Sequence, residues 1–250
     1  FDSEPGMIEK KIIIGTRGSQ LALVQSRWVQ QALQQACPDL HTELLTIQTQ
    51  GDIILDTALS KIGDKGLFTR EIENALLTRR IDLAVHSLKD LPTVSPSGLR
   101  IAAIPPRQDP ADVLLSKNHL PLIRLPAAAV VLTSSLRRRA QLLHHRPDLQ
   151  VLDIRGNVTT RIRKWQEGPA HALVMAAAGL NRIQMQNHIT ERLDPMQFLP
   201  ACGQGALALQ IRQDDPDLAA RLQSLDDPLA RATVTAERTL LAALQGGCQI

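Results

Sequence analysis

The stretch RIDLAVHSLKDLP, residues 80–92, sets a histidine, a serine, a lysine and an aspartate behind a short apolar run. A hydrolytic triad would need His86, Ser87 and Asp90 to converge on one substrate atom. Residues 81–85 read as a buried strand of a parallel sheet, and successive strand side chains point to opposite faces. His86 and Ser87 therefore diverge, and no triad is expected. Asp90 follows the carboxyl end of that strand, where ligands approach open parallel sheets. It is the residue expected to do the chemistry.

What Asp90 acts on is suggested by three arginine-bearing junctions. GTRGSQ places Arg17 after a first strand; LTSSLRRR sets Thr133, Ser134 and Ser135 at a helix start with Arg137 and Arg138 in its first turn; DIRGNVTTR puts Arg155 at a strand end, Asn157 as a cap and Arg161 one turn on. Each junction offers free backbone N–H groups, a positive dipole end and guanidinium forks suited to carboxylate or phosphate. One such junction is what any solvated helix turn provides. Three together point to a cleft for a polyanion. Cations in a first turn oppose the helix dipole, so Arg137 and Arg138 are expected to be unfavourable until an anion arrives. GTRGSQ lacks G-x-G-x-x-G and GDKGLF lacks the ending of a P-loop, which favours carboxylates over pyrophosphate.

The remaining composition narrows the class. With 28 basic and 25 acidic residues the net charge is only +3, too balanced for a non-specific nucleic-acid binder. Three Phe, two Trp and no Tyr leave little with which to stack bases, so neither nucleic acid nor, without a long apolar run, a membrane is expected as partner. Residues 1–11 do not read as a signal peptide, and a cytoplasmic enzyme is expected, or a stromal one in a plastid. Cys37, Cys202 and Cys248 are odd in number and widely spaced, which suits neither a disulfide framework nor a metal site. No metal is expected. Cys248 stands in LQGGCQI, where two glycines would let a thiol approach a ligand.

The elements that must position these groups alternate. Strands are expected over 11–15, 42–48, 81–85, 112–115, 130–132, 151–154, 172–175 and 206–211. Helices are expected from Ser19 onward, with an apolar stripe of Leu21, Val24, Trp28 and Ala32, and over 68–77, 136–144, 157–165, 177–183, 218–225 and 228–244. Residues 51–66 are polar and glycine-punctuated, long enough for a lid. Repeated strand–helix units imply α/β sheets. Breaks at Pro105-Pro106 and at LPACGQG suggest one α/β unit inserted into another.

Taken together, GTRGSQLAL, GDKGLF, DLAVHSLKDLP, LTSSLRRRAQL, DIRGNVTTR, GQGALALQIR, VTAERTLL and GGCQ resemble, in content and order over nearly the whole chain, the porphobilinogen deaminases, also called hydroxymethylbilane synthases. The resemblance implies a transferase of tetrapyrrole biosynthesis that joins four porphobilinogen molecules head to tail with loss of ammonia. It implies a dipyrromethane primer held as a thioether by Cys248, and Asp90 as the catalytic residue. The chemistry agrees with the residues: deamination leaves a pyrrolic cation that a fixed carboxylate can stabilise. Every pyrrole also carries an acetate and a propionate, which suits an arginine-lined cleft.

By the same resemblance, Ser87, Lys89, Asp90, Thr133, Ser134, Ser135, Arg137, Arg138, Arg155 and Gly156 hold the primer, while Arg17, Lys65, Arg155, Arg161, Arg182 and Gln204 bind substrate. The implied fold is two periplasmic-binding-protein-like (type II) α/β domains with mixed, mostly parallel sheets, and the beginning of a small α+β third domain. Domain 1 would be 1–105 with 206–225, domain 2 would be 106–205, and 226–250 would open domain 3 and carry Cys248, the remainder being absent. A monomer is expected. Two positions depart from the family pattern: a valine is usual at Cys202 and a glutamate at Gln210. The rival reading is a non-catalytic binding protein of the same fold for a polycarboxylate ligand.

Overall fold

The computed structural model describes residues 11–53 and 66–244, leaving Lys65 and Cys248 outside the described residues. Ten strands form two five-stranded sheets. The first sheet has the order β2-β1-β3-β10-β4 and the second β7-β6-β8-β5-β9. In the first, β1 (Lys11–Thr16), β2 (His41–Thr46) and β3 (Leu83–Ser87) run parallel, while β10 (Leu207–Arg212) lies antiparallel between β3 and β4 (Leu99–Ala103). In the second, β6 (Val130–Leu132), β7 (Gln150–Leu152) and β8 (Ala172–Ala176) are parallel, and β5 (Asp112–Ser116) runs antiparallel between β8 and β9 (Glu191–Arg192). Four of five strands in each sheet thus share one direction. This is the mixed, mostly parallel arrangement expected from the sequence.

Both sheets are buried on both faces, and the period of two sorts their side chains. Ile12, Ile14, Leu83 and Val85 pack under α1 (Gln20–Ala36) and α7 (Pro216–Leu222), through Val29, Leu33, Leu218 and Leu222. Ala84 and Ile13 face the other way, onto Ile72 and Leu76 of α3 (Arg70–Leu77). In the second sheet Leu114 meets Leu142 of α4 (Leu136–His145), while Val113 and Leu115 meet Ile162 and Trp165 of α5 (Val158–Glu167) and Leu180 of α6 (Ala177–Arg182). Each such side chain stabilises the fold by roughly 1.5–3 kcal/mol.

Helix starts follow their sequence signals. Ser19 Oγ accepts from Ala22 N, Asn157 Oδ1 from Thr160 N, and Asp227 Oδ1 from Ala230 N ahead of α8 (Pro228–Ala243). Two expectations need correction. The apolar stripe of α1 is rotated: Gln25, Ser26, Val29 and Leu33 are buried, whereas Trp28 is 45% exposed. The reason is that α1 turns Gln25 toward the carboxyl end of β3, where its amide donates to Ser87. The strands β4 and β9 were not expected from the sequence; both lie at sheet edges and join only an antiparallel neighbour. The short helix α2 (Gln50–Ile53) occupies the start of the stretch read as a lid, whose residues 54–65 lie outside the described residues. Among the described residues no helix is long and apolar enough to cross a membrane.

Between β4 and β5 the chain crosses from the first sheet to the second, and between β9 and β10 it returns. The two crossings touch. Gln108 N donates to Gly205 O (3.2 Å), the Gln204 amide to Pro110 O (2.6 Å), and Arg107 Nε to Gln204 O (2.9 Å). Arg107 also pairs with Glu237 of α8, whose Ala230 and Val234 pack on Leu88, Ala206 and Ala208. Gly205 is needed here on two counts: its φ is +88°, and a Cβ would collide with the Gln108 carbonyl oxygen. We expect Gly205→Ala to lower stability by on the order of 1–3 kcal/mol, read as a fall in the urea midpoint at unchanged slope. An unchanged midpoint would show that the crossings can separate freely.

Candidate active site

The carboxyl ends of the parallel strands of both sheets open onto one cleft of about 850 Å³. From the first sheet come Arg17 after β1 and Ser87, Lys89 and Asp90 after β3; from the second come Ser134–Arg138 after β6, Arg155–Asn157 after β7 and Arg182 at the end of α6. β10 and β5 run against their neighbours, so their amino ends lie at this same edge. That is how Gln204, just before β10, and Asp112, the first residue of β5, reach the site.

The wall is strongly cationic. Arg17, Lys89, Arg137, Arg138, Arg155, Arg161, Lys164 and Arg182 line it, against the carboxylates of Asp52 and Asp90. The crowding shows in their protonation. Burial, then repulsion from Arg138, lowers Lys89 to about 8, while Asp90 and Asp112 pull it back up. Burial, then repulsion from Arg138 and Arg155, lowers Arg161 to about 10, again with Asp90 opposing. Arg182 falls to about 10 through burial. Asp90 is half-buried, and its charge acts on Lys89 beside it and on Arg161 from the other sheet.

Most cations are already held. Arg17 forms an ion pair with Asp52 and lies 4.4 Å above the Phe68 ring. Burial pushes the Asp52 carboxyl up, but hydrogen bonds from Arg17 and Thr49 outweigh it and keep it below the usual range. Arg161 Nε donates to Gly156 O (2.7 Å), and Arg182 Nη2 to Gly205 O (2.7 Å). Lys89 Nζ reaches Gln204 Oε1 at 3.4 Å. The anion expected to arrive from outside for Arg137 and Arg138 is in fact supplied from within. Arg138 gives Nε (3.1 Å) and Nη2 (2.7 Å) to Asp112 Oδ1, and Arg137 Nη1 lies 2.7 Å from Oδ2, off the line of a good hydrogen bond.

The hydroxyls of the TSS run shape the loop first. Thr133 does not reach the cleft: it is 2% exposed, and its oxygen accepts from Ser135 N. Ser134 Oγ ties the β6 and β7 loops together, donating to Ile154 O and accepting from Ile154 N. Ser135 caps α4 through Arg138 N while facing the cleft. Gly156, with φ +121°, turns the β7 loop. The divergence read from RIDLAVHSLKDLP holds: Ser87 lines the cleft, whereas His86 is buried against Gln210. Burial lowers His86 to about 4, so it is neutral.

The sequence reading missed Gln25, Asp52, Phe68, Asp112 and Lys164. Phe68 stood in the quoted GDKGLF, and Asp112 carried a signal of its own: an aspartate opening an apolar strand must be paired once buried. Gln25 was hidden by the misjudged phase of α1. Cys37 and Cys202 are half-buried free thiols, with Cys202 raised by burial and by Glu237. Among the described residues no cluster of His, Cys, Asp and Glu could hold a metal ion.

Comparison with solved structures places the fold. The methionine-binding protein MetQ superposes with a TM-score of 0.55 at 12% identity, covering 92% of this chain and 95% of its own. A putative methionine-binding lipoprotein from Bacillus subtilis gives 0.51 at 11% identity, over 89% and 93% of the two chains. At such identity these likenesses speak for the two-lobed fold alone. Sequence comparison goes further. A family model described as "Porphobilinogen deaminase, dipyromethane cofactor binding domain" matches residues 12–220. The porphobilinogen deaminase of Syntrophobacter fumaroxidans is 50% identical over 244 residues, covering 98% of this chain and 79% of that protein. That of Desulforudis audaxviator is 52% identical over 243 residues, covering 97% and 79%. Sequence half-identical over 97–98% of this chain, together with the family model over residues 12–220, makes this chain a member of the porphobilinogen deaminase family.

Proposed function

We propose that the chain polymerises porphobilinogen head to tail into hydroxymethylbilane, and that Asp90 is the group that meets the reacting carbon. The observation that carries this is one half-buried carboxylate, Asp90, set among eight cations at the shared carboxyl edge of two sheets. The cations suit the acetate and propionate groups of pyrroles, and the carboxylate suits the pyrrolic cation that appears when ammonia leaves.

The family implies a dipyrromethane primer, and the donor set fits it. Such a group carries four carboxylates, and the cleft offers forks from both sheets to receive them. Arg137, Arg138, Arg155, Ser87, Lys89, Ser134, Ser135 and the Gly156 turn would hold it, with Thr133 acting from behind by fixing the loop. When bound, the group supplies the first nucleophilic pyrrole carbon. Cys248, outside the described residues, is the proposed point of attachment, and Lys65, likewise outside, is proposed to meet the substrate. Arg17, Arg155, Arg161, Arg182 and Gln204 would orient the incoming porphobilinogen by its carboxylates. Asp90 then holds the developing cation in place and takes or returns the pyrrole N–H proton.

On this reading residues 1–105 with 206–225 form domain 1, residues 106–205 form domain 2, and residues 226–250 open domain 3. The crossing segments that touch at Gln108 and Gly205 support that division. A monomer working in the cytoplasm on a small molecule, without nucleic acid or membrane, completes the proposal. The binding-protein alternative is set aside by the family match.

Three measurements test these roles. Asp90→Asn should keep the wild-type circular dichroism and lose at least a hundredfold in kcat, the scale set by removing one electrostatic stabiliser. A loss under about tenfold, ~1.4 kcal/mol, would remove Asp90 from the chemistry. Intact-mass spectrometry should find a two-pyrrole addition that Cys248→Ser abolishes and Cys202→Ser retains; an adduct on Cys202 would reassign the attachment.

The third measurement concerns Lys89. Its folded value of about 8 lies below the ordinary 10.5, so its charge costs stability at neutral pH, and that cost is relieved as pH rises from about 8 toward 10.5. Incoming carboxylates favour the ammonium and raise it again. Titration calorimetry in buffers of different ionisation enthalpy should therefore show proton uptake when a free dipyrromethane binds the primer-free chain near pH 8.5 and almost none at pH 6. Lys89→Met should abolish the uptake and raise Tm at pH 7. Equal uptake at both values would exclude Lys89 as a carboxylate partner.

A further inference from the structure

The carboxylate that the mechanism leaves unused is Asp112. It is fully buried, opens β5, and lies behind the cleft wall. Its two oxygens collect four contacts: Arg138 Nε (3.1 Å) and Nη2 (2.7 Å) and Gln204 Nε2 (2.9 Å) on Oδ1, and Arg137 Nη1 (2.7 Å) on Oδ2. Burial pushes its carboxyl up, but Arg138 and Arg137 outweigh this and bring it down to about 2, so it is an anion at any working pH.

These contacts do more than neutralise. Arg138 is fixed at three points, since its Nη1 also donates to Val174 O (3.2 Å). Arg137 is held between Asp112 and Leu199 O, which accepts from Nη1 (2.5 Å). Gln204 is held between Asp112 and Pro110 O, and that orientation turns its Oε1 toward Lys89 Nζ. One carboxylate thus fixes two guanidiniums on the second sheet and, through one amide, an ammonium on the first.

We propose that Asp112 is the positioning residue of the anion site: it aims Arg137, Arg138 and, by way of Gln204, Lys89 at the primer carboxylates, and Gln204 itself at those of the substrate. The inference rests on the reading of the cleft as a pyrrole-carboxylate site. It makes a prediction opposite in sign to simple electrostatics. Asp112→Asn raises the positive charge of the wall by one unit, so Coulomb attraction alone would tighten anion binding. If aiming matters more, binding weakens despite the added charge.

The probe is a pyrrole carrying acetate and propionate but no aminomethyl group, which can bind and cannot be deaminated. Calorimetry on the full chain should show wild-type binding and, for Asp112→Asn, a Kd at least about tenfold weaker, with KM for porphobilinogen rising more than kcat falls. Binding as tight as wild type or tighter in the folded variant would overturn the proposal. If Asp112→Asn does not fold, Asp112→Glu keeps the charge and displaces the carboxylate by one methylene. It should fold and still bind the probe more weakly, and wild-type affinity there would overturn the proposal equally. Failure of the wild-type chain itself to bind the probe would instead count against the pyrrole-carboxylate reading.

Discussion

Like charges held together out of water are the constraint on which this structure turns. An isolated buried guanidinium is too costly to keep, and one that repels its neighbours is worse. The protein keeps eight cations on one wall by giving most of them an internal acceptor: Asp52 for Arg17, Asp112 for Arg137 and Arg138, the Gly156 carbonyl for Arg161 and the Gly205 carbonyl for Arg182. Compensation is incomplete, as the lowered values of Lys89, Arg161 and Arg182 show. That residue of uncompensated charge is binding energy in waiting. A polycarboxylate entering the cleft supplies what the protein withholds from itself.

The topology serves the same end. A purely parallel sheet would present only its loops after strand ends to a ligand. Reversing one inner strand in each sheet brings an amino end to that edge as well, so Asp112 and Gln204 enter the site from the two crossing segments. The segments joining the sheets are therefore part of the binding wall, and Gln204 touches both Lys89 of the first sheet and Asp112 of the second. A change in the angle between the sheets would be felt at once by the cations. Gly205, with its left-handed backbone, permits the close approach on which this depends.

Much of this was legible in the residues, and for identifiable reasons. Short apolar runs revealed β3, β5, β6 and β8, because doubly buried strands leave no polar face to confuse the reading. Ser19 and Asn157 marked helix starts through their side-chain acceptors. The misses are physical too. Edge strands β4 and β9 have mixed or few residues and are made by pairing with distant β10 and β5, which no local pattern records. The stripe of α1 was misjudged because a helix flanking a polar site buries glutamine and serine, which a hydrophobicity pattern counts as exposed. At the site, the arginine junctions were visible as local motifs. Asp112, opening DVLL, signalled only that it must be paired once buried, and nothing local names the guanidiniums that meet it 25 and 26 residues on.

The cationic character of the cleft sharpens what Asp90 means. A cleft that only holds a polyanion gains nothing from a carboxylate among its cations. Asp90 repels every acid that enters, and its field partly cancels that of Lys89 and Arg161, the cations nearest to it in effect. Such a residue is tolerable where binding energy is in surplus and needed where positive charge develops on the ligand itself. On the proposed reading the surrounding arginines supply the surplus, drawn from carboxylates remote from the reacting carbon, and Asp90 would use part of it where the cation forms. Seen this way, the cations and the carboxylate are not rival features of the cleft. On that proposal the first hold the substrate and the second favours its transformation.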